Sequence, residues 1–409
     1  DPLASATCHG IVVLPSTIVV SSPCPGQFRQ IAATFDKLRA AKAFSLVKSV
    51  TSITRTRPTI VRPSTGQRMD RMYDYLIVGA GSAGCVLANR LSADPNRQVC
   101  LLEAGPEDAS PWIHIPAGLF FMMRSKTLNW RYRTEPQSAL YDRRLFWPRG
   151  KTLGGSSSSN AMVYTRGHRS DYDHWAELGN AGWNYADLLP LFKRCQHQER
   201  GPSEHHGVGG PLNVADPRQR GEISEVFVRA AGEAGYPLSD DFNGAEQEGV
   251  GFYQLTQKDG RRCSSARAYL HPVRARPNLT VITDALVSRV LFEGHRAIGV
   301  RYLDRAGQTF DLQARREVVL AGGAINSPQL LLLSGVGPRA ELERHGIAQV
   351  HELPGVGQNL QDHLDVIVAC RERRRATAAR RQRHPQGLSA AGRRRAARPR
   401  RRQLLAQPQ

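Results

Sequence analysis

This 409-residue sequence lacks long apolar runs and paired cysteines. The longest early apolar stretch, residues 11–20, is short and is interrupted by Pro15, whereas a membrane-spanning helix needs about 20 apolar residues. Its seven cysteines are scattered and form no CxxC pair, which argues against a disulfide framework or a zinc module. We therefore expect no transmembrane segment, no bound metal, and free thiols in a reducing compartment.

The sequence also lacks any excess of charge in its centre. Its formal charge of +20 comes from 56 basic and 36 acidic residues. Residues 1–68 carry a net +7 and residues 371–409 a net +13, so residues 69–370 are balanced. A basic protein can bind nucleic acid or an anionic membrane, but these basic runs lack interleaved aromatic residues and a recognition fold. We expect no nucleic-acid partner.

The two flanks differ in composition from the centre. Residues 1–68 are basic, rich in Ser and Thr and poor in acids. They resemble either an organellar transit peptide or sequence upstream of a start at Met69 or Met72, and we favour the second interpretation. Residues 371–409 contain 14 arginines and no aromatic residue, Ile or Val, so we expect disorder there, as we do for residues 1–68. The expected location is cytoplasmic, with peripheral attachment to a respiratory membrane as an option. The alternative is a mitochondrial location, which applies if residues 1–68 are a genuine transit peptide.

The central region opens with a βαβ pattern. An apolar run at 75–78 predicts a buried strand, a glycine turn follows at 79–84, and the sequence then predicts a helix over 82–91. A second strand is expected at 98–103. Short strands with turns between them are predicted further on, at 280–283, 287–292, 298–303 and 318–320. A later helix is predicted to begin at Ser327, with Pro328 in its first turn, and to end at Gly335.

The glycine turn has the pattern GxGxxG. Gly79 permits the tight turn, Gly81 lets the backbone approach a pyrophosphate, and Gly84 allows close packing of helix on strand. The helix start offers free N–H groups to phosphates, and Glu103, at the end of the second strand, can accept hydrogen bonds from a ribose. This arrangement indicates a dinucleotide without choosing between FAD and NAD. A glycine turn without a ligand is the alternative.

A second glycine-rich stretch spans residues 147–167, with paired glycines, four serines and Asn160. Such a loop exposes many backbone and hydroxyl donors and suits a flat polar ring or phosphates. It could equally be a flexible serine linker. The apolar residues 161–164 that follow argue against a linker, because linkers do not run directly into a core.

Three motifs now resemble one family. Residues 150–167, 323–337 and 355–363 are similar to the signatures of the glucose–methanol–choline (GMC) family of FAD-dependent alcohol oxidoreductases, particularly its choline dehydrogenase-like members, and the likeness covers residues 72–369. The resemblance implies an α/β fold in which a Rossmann-like FAD-binding domain adjoins a partial, mostly antiparallel β substrate domain. It implies oxidation of a primary alcohol to an aldehyde, with a quinone, another carrier or oxygen as electron acceptor.

The resemblance also implies which residues meet the cofactor. Glu103 would bind the adenosine ribose, residues 153–163 would lie along the flavin, and Val287 would contact adenine through its backbone. Ser159 stands where some relatives carry the histidine that attaches FAD covalently, so we expect non-covalent FAD. The implied cofactor-binding residues are Gly79, Gly81, Ser82, Ala83, Gly84, Glu103, Leu153, Gly154, Asn160, Ala161, Met162, Val163 and Val287.

No catalytic base can be assigned. In the family, the histidine that takes the alcohol proton lies near the C-terminus, which residues 371–409 do not resemble, and His384 in the arginine-rich tail is no substitute. We therefore expect the chain to be C-terminally truncated, and an inactive FAD-binding fragment is the alternative function. The pair His205 and His206 is interpreted as an exposed loop rather than a metal site, and His168 and His174 as structural.

Overall fold

The computed structural model describes residues 72–362, together with the backbone of three short strands at 11–14, 17–20 and 366–368. These three strands, β1 (Ile11–Leu14), β2 (Thr17–Val20) and β19 (Val366–Val368), form one antiparallel sheet. The disorder expected of residues 371–409, and of most of residues 1–68, lies outside the described residues. The domain boundaries at 69 and 370 stay predictions.

A six-stranded sheet is the largest sheet among the described residues, with the strand order β13-β4-β3-β16-β15-β14. Strands β13, β4, β3 and β16 pair in parallel, whereas β16, β15 and β14 pair antiparallel. Strand β16 therefore joins the parallel half to the antiparallel half. The strands are β3 (Met72–Val78), β4 (Val99–Leu102), β13 (Leu279–Ile282), β14 (Leu286–Glu293), β15 (Arg296–Leu303) and β16 (Thr309–Leu320).

Helices and small sheets surround this sheet. Among the described residues the α-helices are α1 (Ser82–Leu91), α2 (Pro111–His114), α3 (Leu119–Arg124), α4 (Arg169–Glu177), α5 (Tyr185–Cys195), α6 (Glu222–Glu233), α7 (Gly323–Leu333) and α8 (Arg339–Arg344). A π-helical turn spans Ala266–Leu270, and 3₁₀ turns span Pro116–Gly118, Ser138–Leu140, Gly155–Ser158 and His271–Val273. Three two-stranded antiparallel sheets pair β5 (Tyr132–Arg133) with β6 (Phe146–Trp147), β7 (Val163–Tyr164) with β10 (Gln254–Leu255), and β11 (Gln257–Lys258) with β12 (Arg261–Arg262). Two parallel pairs join β8 (Gln196–Gln198) to β9 (Leu212–Val214) and β17 (Val336–Gly337) to β18 (His351–Glu352).

Alternating side chains of the central strands form two cores. Ile77 and Leu101 pack with α1 and the π-helical turn on one face, whereas Leu76 and Leu102 pack with β15 and α7 on the other. All four side chains are buried. A parallel strand covered on both faces needs apolar residues at every position, which explains why the run at 75–78 has no polar alternation. The position of the sheet is therefore fixed by burial on both sides.

The predicted βαβ opening is observed. Helix α1 has the predicted bounds, and each predicted strand overlaps an observed one. The predicted helix at Ser327 was wrong at its start, because α7 begins four residues earlier, at Gly323. Pro328 therefore lies inside the helix, where its missing N–H leaves the carbonyl of Ala324 without the usual intrahelical bond. The helix N-terminus thereby moves to the glycine pair 322–323.

The remaining sequence expectations concern membranes and thiols. Within the described residues, no helix is long and apolar enough to cross a bilayer. Cys85 and Cys100 are free and buried, and burial raises the pKa of each thiol to about 12. Both therefore behave as small apolar core residues.

Candidate dinucleotide-binding site

A cavity of about 790 Å³ opens at the carboxyl ends of the central parallel strands. Val78, Leu102 and Leu320, the last residues of β3, β4 and β16, all line it. Ligands of open α/β sheets bind at this edge, where the strand order changes direction. The volume lies within the range of cofactor sites, about 300–1,000 Å³.

The turn 79–84 borders this cavity through Gly79 and residues 81–83. Gly79 has φ +99°, and a Cβ there would lie 2.6 Å from the carbonyl oxygen of Ala321. A Cβ on Gly84 would lie 1.9 Å from the Gly79 oxygen, so only glycine lets α1 approach the strand. Gly81, in contrast, meets nothing nearer than 3.9 Å and lines the cavity. Two of these glycines are needed for packing, and the third leaves space for a ligand.

The loop 150–160 packs directly on this turn. The amide of Gly154 donates to the carbonyl of Ala80 at 2.7 Å, and a Cβ on Gly155 would lie 2.8 Å from the Cα of Gly81. The hydroxyls of Ser157 and Ser158 donate to carbonyls within the same loop, at 2.6 and 2.7 Å. The serines thus fix the shape of the loop, which is not a flexible linker.

Glu103 lies beneath the glycine turn and lines the cavity. One carboxylate oxygen accepts from the amide of Ala80 and the other from the amide of Gly105, both at 2.9 Å. Burial raises the pKa of Glu103 to about 7, although these two amides and the charge of Lys151 act to lower it. Each oxygen retains a second lone pair, so an ionised Glu103 can still accept hydrogen bonds from a ribose.

A second helix N-terminus also faces the cavity. Residues 322–327, at the start of α7, all line the cavity. Neither helix has a side-chain hydrogen bond at its N-cap, which is Gly81 in α1 and Gly322 in α7. The first N–H groups of a helix have no intrahelical partner, and its dipole favours anions there. Two such ends at one cavity suit a group with more than one phosphate.

An aromatic wall completes the cavity. Trp130 and Tyr132 stack with their ring centroids 5.7 Å apart, and both line the cavity together with Arg149. The hydroxyl of Tyr132 donates to the side-chain oxygen of Asn326 on α7. These residues were absent from the predicted site. Asn326 belongs to the motif 323–337, but no pattern in the sequence predicts that Tyr132 contacts it.

Val287 also lines the cavity and lies on the edge strand β14. The register between β14 and β15 shifts between Val287 and Arg289. An edge strand leaves one row of backbone groups without a strand partner, and a bulge turns that backbone locally. This geometry is compatible with the predicted backbone contact to an adenine ring, which stays a prediction.

The cavity brings together about half of the predicted cofactor residues. It is lined by Gly79, Gly81, Ser82, Ala83, Glu103 and Val287. The other predicted residues do not line it: Gly84, Leu153, Gly154, Asn160, Ala161, Met162 and Val163. Leu153 and Met162 are buried in the protein, and Gly84 packs on Gly79. Contact between these residues and a cofactor remains a prediction.

The interpretation of His206 as part of an exposed loop was wrong. Its side chain is buried, with Nε2 2.8 Å from the Oδ2 of Asp241 and Nδ1 2.9 Å from the Nε2 of Gln196. Burial opposes a low pKa at Asp241, but the hydrogen bonds and charge of His206 and its neighbours hold that pKa below its usual range. No cluster of metal ligands occurs among the described residues.

His168, as expected, is structural, since its side chain accepts from the amide of Ser170 at the N-cap of α4.

The arrangement fits a dinucleotide. Gly81 leaves room for close approach of a pyrophosphate to the backbone, two helix ends provide N–H donors, and Glu103 provides an acceptor for hydroxyls. A profile of the GMC oxidoreductase family matches residues 73–365, which includes every part of this cavity. The chain belongs to the GMC oxidoreductase family. The predicted family of enzymes, the α/β fold and the FAD cofactor that membership implies are thereby confirmed.

Related GMC proteins agree with this assignment. The chain is 56% identical over 301 residues to an alcohol dehydrogenase [acceptor] of Pseudomonas putida, covering 73% of this chain and 54% of the relative. It is 52% identical to the mitochondrial choline dehydrogenase of Mus musculus, covering 72% and 51%. Among solved structures, it resembles the pyridoxine 4-oxidase of Mesorbium loti, with a TM-score of 0.66, 38% identity, and coverage of 69% and 55%. The chain thus spans about half the length of the curated relatives it matches.

Proposed function

We propose that the protein holds FAD non-covalently in this cavity and forms the cofactor-binding part of an enzyme that oxidises a primary alcohol to an aldehyde. The observation that carries the proposal is the meeting of two uncapped helix ends and a buried carboxylate at one cavity of about 790 Å³. The substrate class follows from relatives named alcohol dehydrogenase and choline dehydrogenase.

Each part of the cavity has a role in this proposal. Amides at the start of α1 and α7 bind the pyrophosphate, and ionised Glu103 binds the adenosine ribose. Trp130 and Tyr132 provide an apolar wall that excludes water from the flavin end. When bound, FAD supplies the redox chemistry by accepting a hydride from the alcohol carbon. The chain orients the cofactor and shields it from solvent.

The first experiment tests the cofactor. The purified protein should carry a yellow chromophore that acid or heat precipitation releases into the supernatant as FAD. Flavin that remains with the precipitated protein would contradict the non-covalent binding expected from Ser159. Protein that stays colourless after incubation with FAD, yet is folded by circular dichroism, would refute the proposed cavity.

A second candidate function is FAD binding without turnover. Among the described residues that line the cavity there is no histidine, and both carboxylate oxygens of Glu103 already accept backbone hydrogen bonds. Loss of a general base typically costs 10²–10⁴-fold in rate. The flavin-loaded protein should be assayed with an artificial electron-acceptor dye, using choline and medium-chain alcohols. Dye reduction at about 1–10³ per second would refute the second candidate, and no reduction would support it.

The electron acceptor and the location belong to the same proposal. A quinone, another carrier or oxygen would reoxidise the flavin, and comparison of dye reduction with oxygen consumption distinguishes these acceptors. We place the protein in the cytoplasm, with a mitochondrial location as the alternative, because one relative is named as mitochondrial.

A further inference from the structure

Arg262 is the largest fully buried side chain among the described residues, with a relative exposure of 1%. Charged side chains are almost never buried completely without an ionic partner. Within the described part of the chain, however, no carboxylate lies within 4.0 Å of its guanidinium. Burial alone lowers the pKa of Arg262 to about 10, so the side chain still carries its charge at neutral pH.

The hydrogen-bond partners of Arg262 are all neutral. Its Nε donates to the carbonyl of Ile113 at 2.9 Å. Its Nη1 donates to the carbonyl of Ser157 at 3.1 Å and to the side-chain oxygen of Asn160 at 2.7 Å. Its Nη2 is buried and has no partner. A buried cation without a counter-ion is expensive, which indicates that the charge has a purpose other than stability.

These contacts connect Arg262 to the cofactor cavity. Gly155 and Ser156 line the cavity, and Ser157, the next residue of the same 3₁₀ turn, accepts a hydrogen bond from the guanidinium. Asn160 closes the same loop. The cation therefore lies directly behind the loop that borders the cavity, in surroundings that screen a charge far less than water does.

We infer that Arg262 is a positioning residue with an electrostatic function: its fixed positive charge behind the loop 155–160 favours the reduced, more negatively charged form of the bound cofactor. The inference rests on the proposed function, since it requires FAD in the cavity. Acceptance of a hydride adds negative charge to the flavin, and a preorganised cation nearby stabilises that charge without reorganisation. Reduction by a weak reductant such as an alcohol becomes easier as a result.

The test compares the midpoint potential of protein-bound FAD in the wild type and in Arg262→Gln, Arg262→Lys and Arg261→Gln. Arg261 is the matched control because it adjoins Arg262 on β12, carries the same charge and is exposed. We expect Arg262→Gln to shift the potential to more negative values and to weaken FAD binding. Arg262→Lys should restore the potential, because it keeps the charge, while FAD binding stays weaker without the guanidinium fork. Arg261→Gln should match the wild type in both measurements.

A purely structural role for Arg262 predicts a different result. In that case both Arg262→Gln and Arg262→Lys would lose FAD affinity, and the potential of the flavin that remains bound would equal that of the wild type. Equal potentials in the wild type and Arg262→Gln overturn the inference while the proposed function stands. A wild type that binds no FAD overturns both.

A second substitution covers the case in which Arg262→Gln does not fold. Arg262→Met removes the charge and fills much of the site with a flexible, unbranched apolar side chain that adapts to irregular buried space. Its potential should be as negative as that expected for Arg262→Gln. A potential equal to that of the wild type would overturn the inference in this variant too.

Discussion

Glu103 should make FAD binding depend on pH. Its pKa is about 7 in the protein without cofactor, so about one-tenth of the carboxyl is ionised at pH 6 and about nine-tenths at pH 8. Only the ionised form accepts hydrogen bonds from ribose hydroxyls with both oxygens, and such charge-assisted bonds contribute about 1.5–3 kcal/mol. We therefore expect the affinity for FAD to rise about tenfold between pH 6 and pH 8, which is about 1.4 kcal/mol.

The assay is titration of the protein with FAD, followed by flavin fluorescence, at pH values from 6 to 8. Glu103→Gln keeps the shape of the side chain but cannot ionise, so its affinity should be independent of pH and lower than that of the wild type at pH 8. Glu103→Ala should bind FAD more weakly still, because it also frees the amides of Ala80 and Gly105. Asp74→Asn is the matched control, since Asp74 is also a buried carboxylate but lies near the opposite end of β3 from the cavity.

Two results would refute this reasoning. A pH dependence that persists in Glu103→Gln would assign the titration to another group. A wild type whose affinity does not change with pH would mean that Glu103 only holds the glycine turn and does not meet the cofactor.

The remaining predictions concern the same region. Gly84→Ala should lower the melting temperature and the flavin content together, because its Cβ would overlap a backbone oxygen at 1.9 Å; Gly81→Ala should fold normally, as shown by an unchanged melting temperature, but lose affinity for FAD. Because the pKa of Glu103 is raised by folding, the cofactor-free protein should lose up to about 3 kcal/mol of unfolding free energy as pH rises from about 4.5 to about 7, and denaturant titration should find no such contribution in Glu103→Gln. Cys85, whose pKa is about 12, should resist alkylation at pH 8 in the folded protein, which peptide mass spectrometry would detect; rapid labelling would contradict its burial.

The sequence was most informative where local pattern and burial agree. The strand at Tyr75 and the helix at Ser82 follow from an unbroken apolar run and a glycine turn, and both form as predicted. The start of α7 was misplaced because Ser327 and Pro328 resemble a helix start. Gly323, with φ +86°, begins the helix one turn earlier. A rule based on local capping residues cannot predict the start at Gly323, because the position of that turn at the cavity depends on the rest of the fold.

Buried polar residues were the least predictable part of the site. The polar sequence around His206 favoured an exposed loop, yet the side chain is buried by its hydrogen bonds to Asp241 and Gln196. Arg262 follows another arginine and would ordinarily be placed in solvent. Its burial depends on carbonyl groups at Ile113 and Ser157, more than 100 residues away in the sequence. Long-range partners of this kind leave no local pattern.

The pairing of β3 with β16 has a consequence for how the protein is made. Leu76 of β3 is aligned with Val318 of β16. The ribosome therefore synthesises about 240 further residues after β3 before β16 is available to pair with it. During that interval β3 can pair only with β4, which in turn pairs with β13, and the other edge of β3 is exposed to other chains,. Non-local parallel pairing is intrinsically slow to form and prone to aggregation. The nascent chain should therefore depend on chaperones until residue 320 has been synthesised.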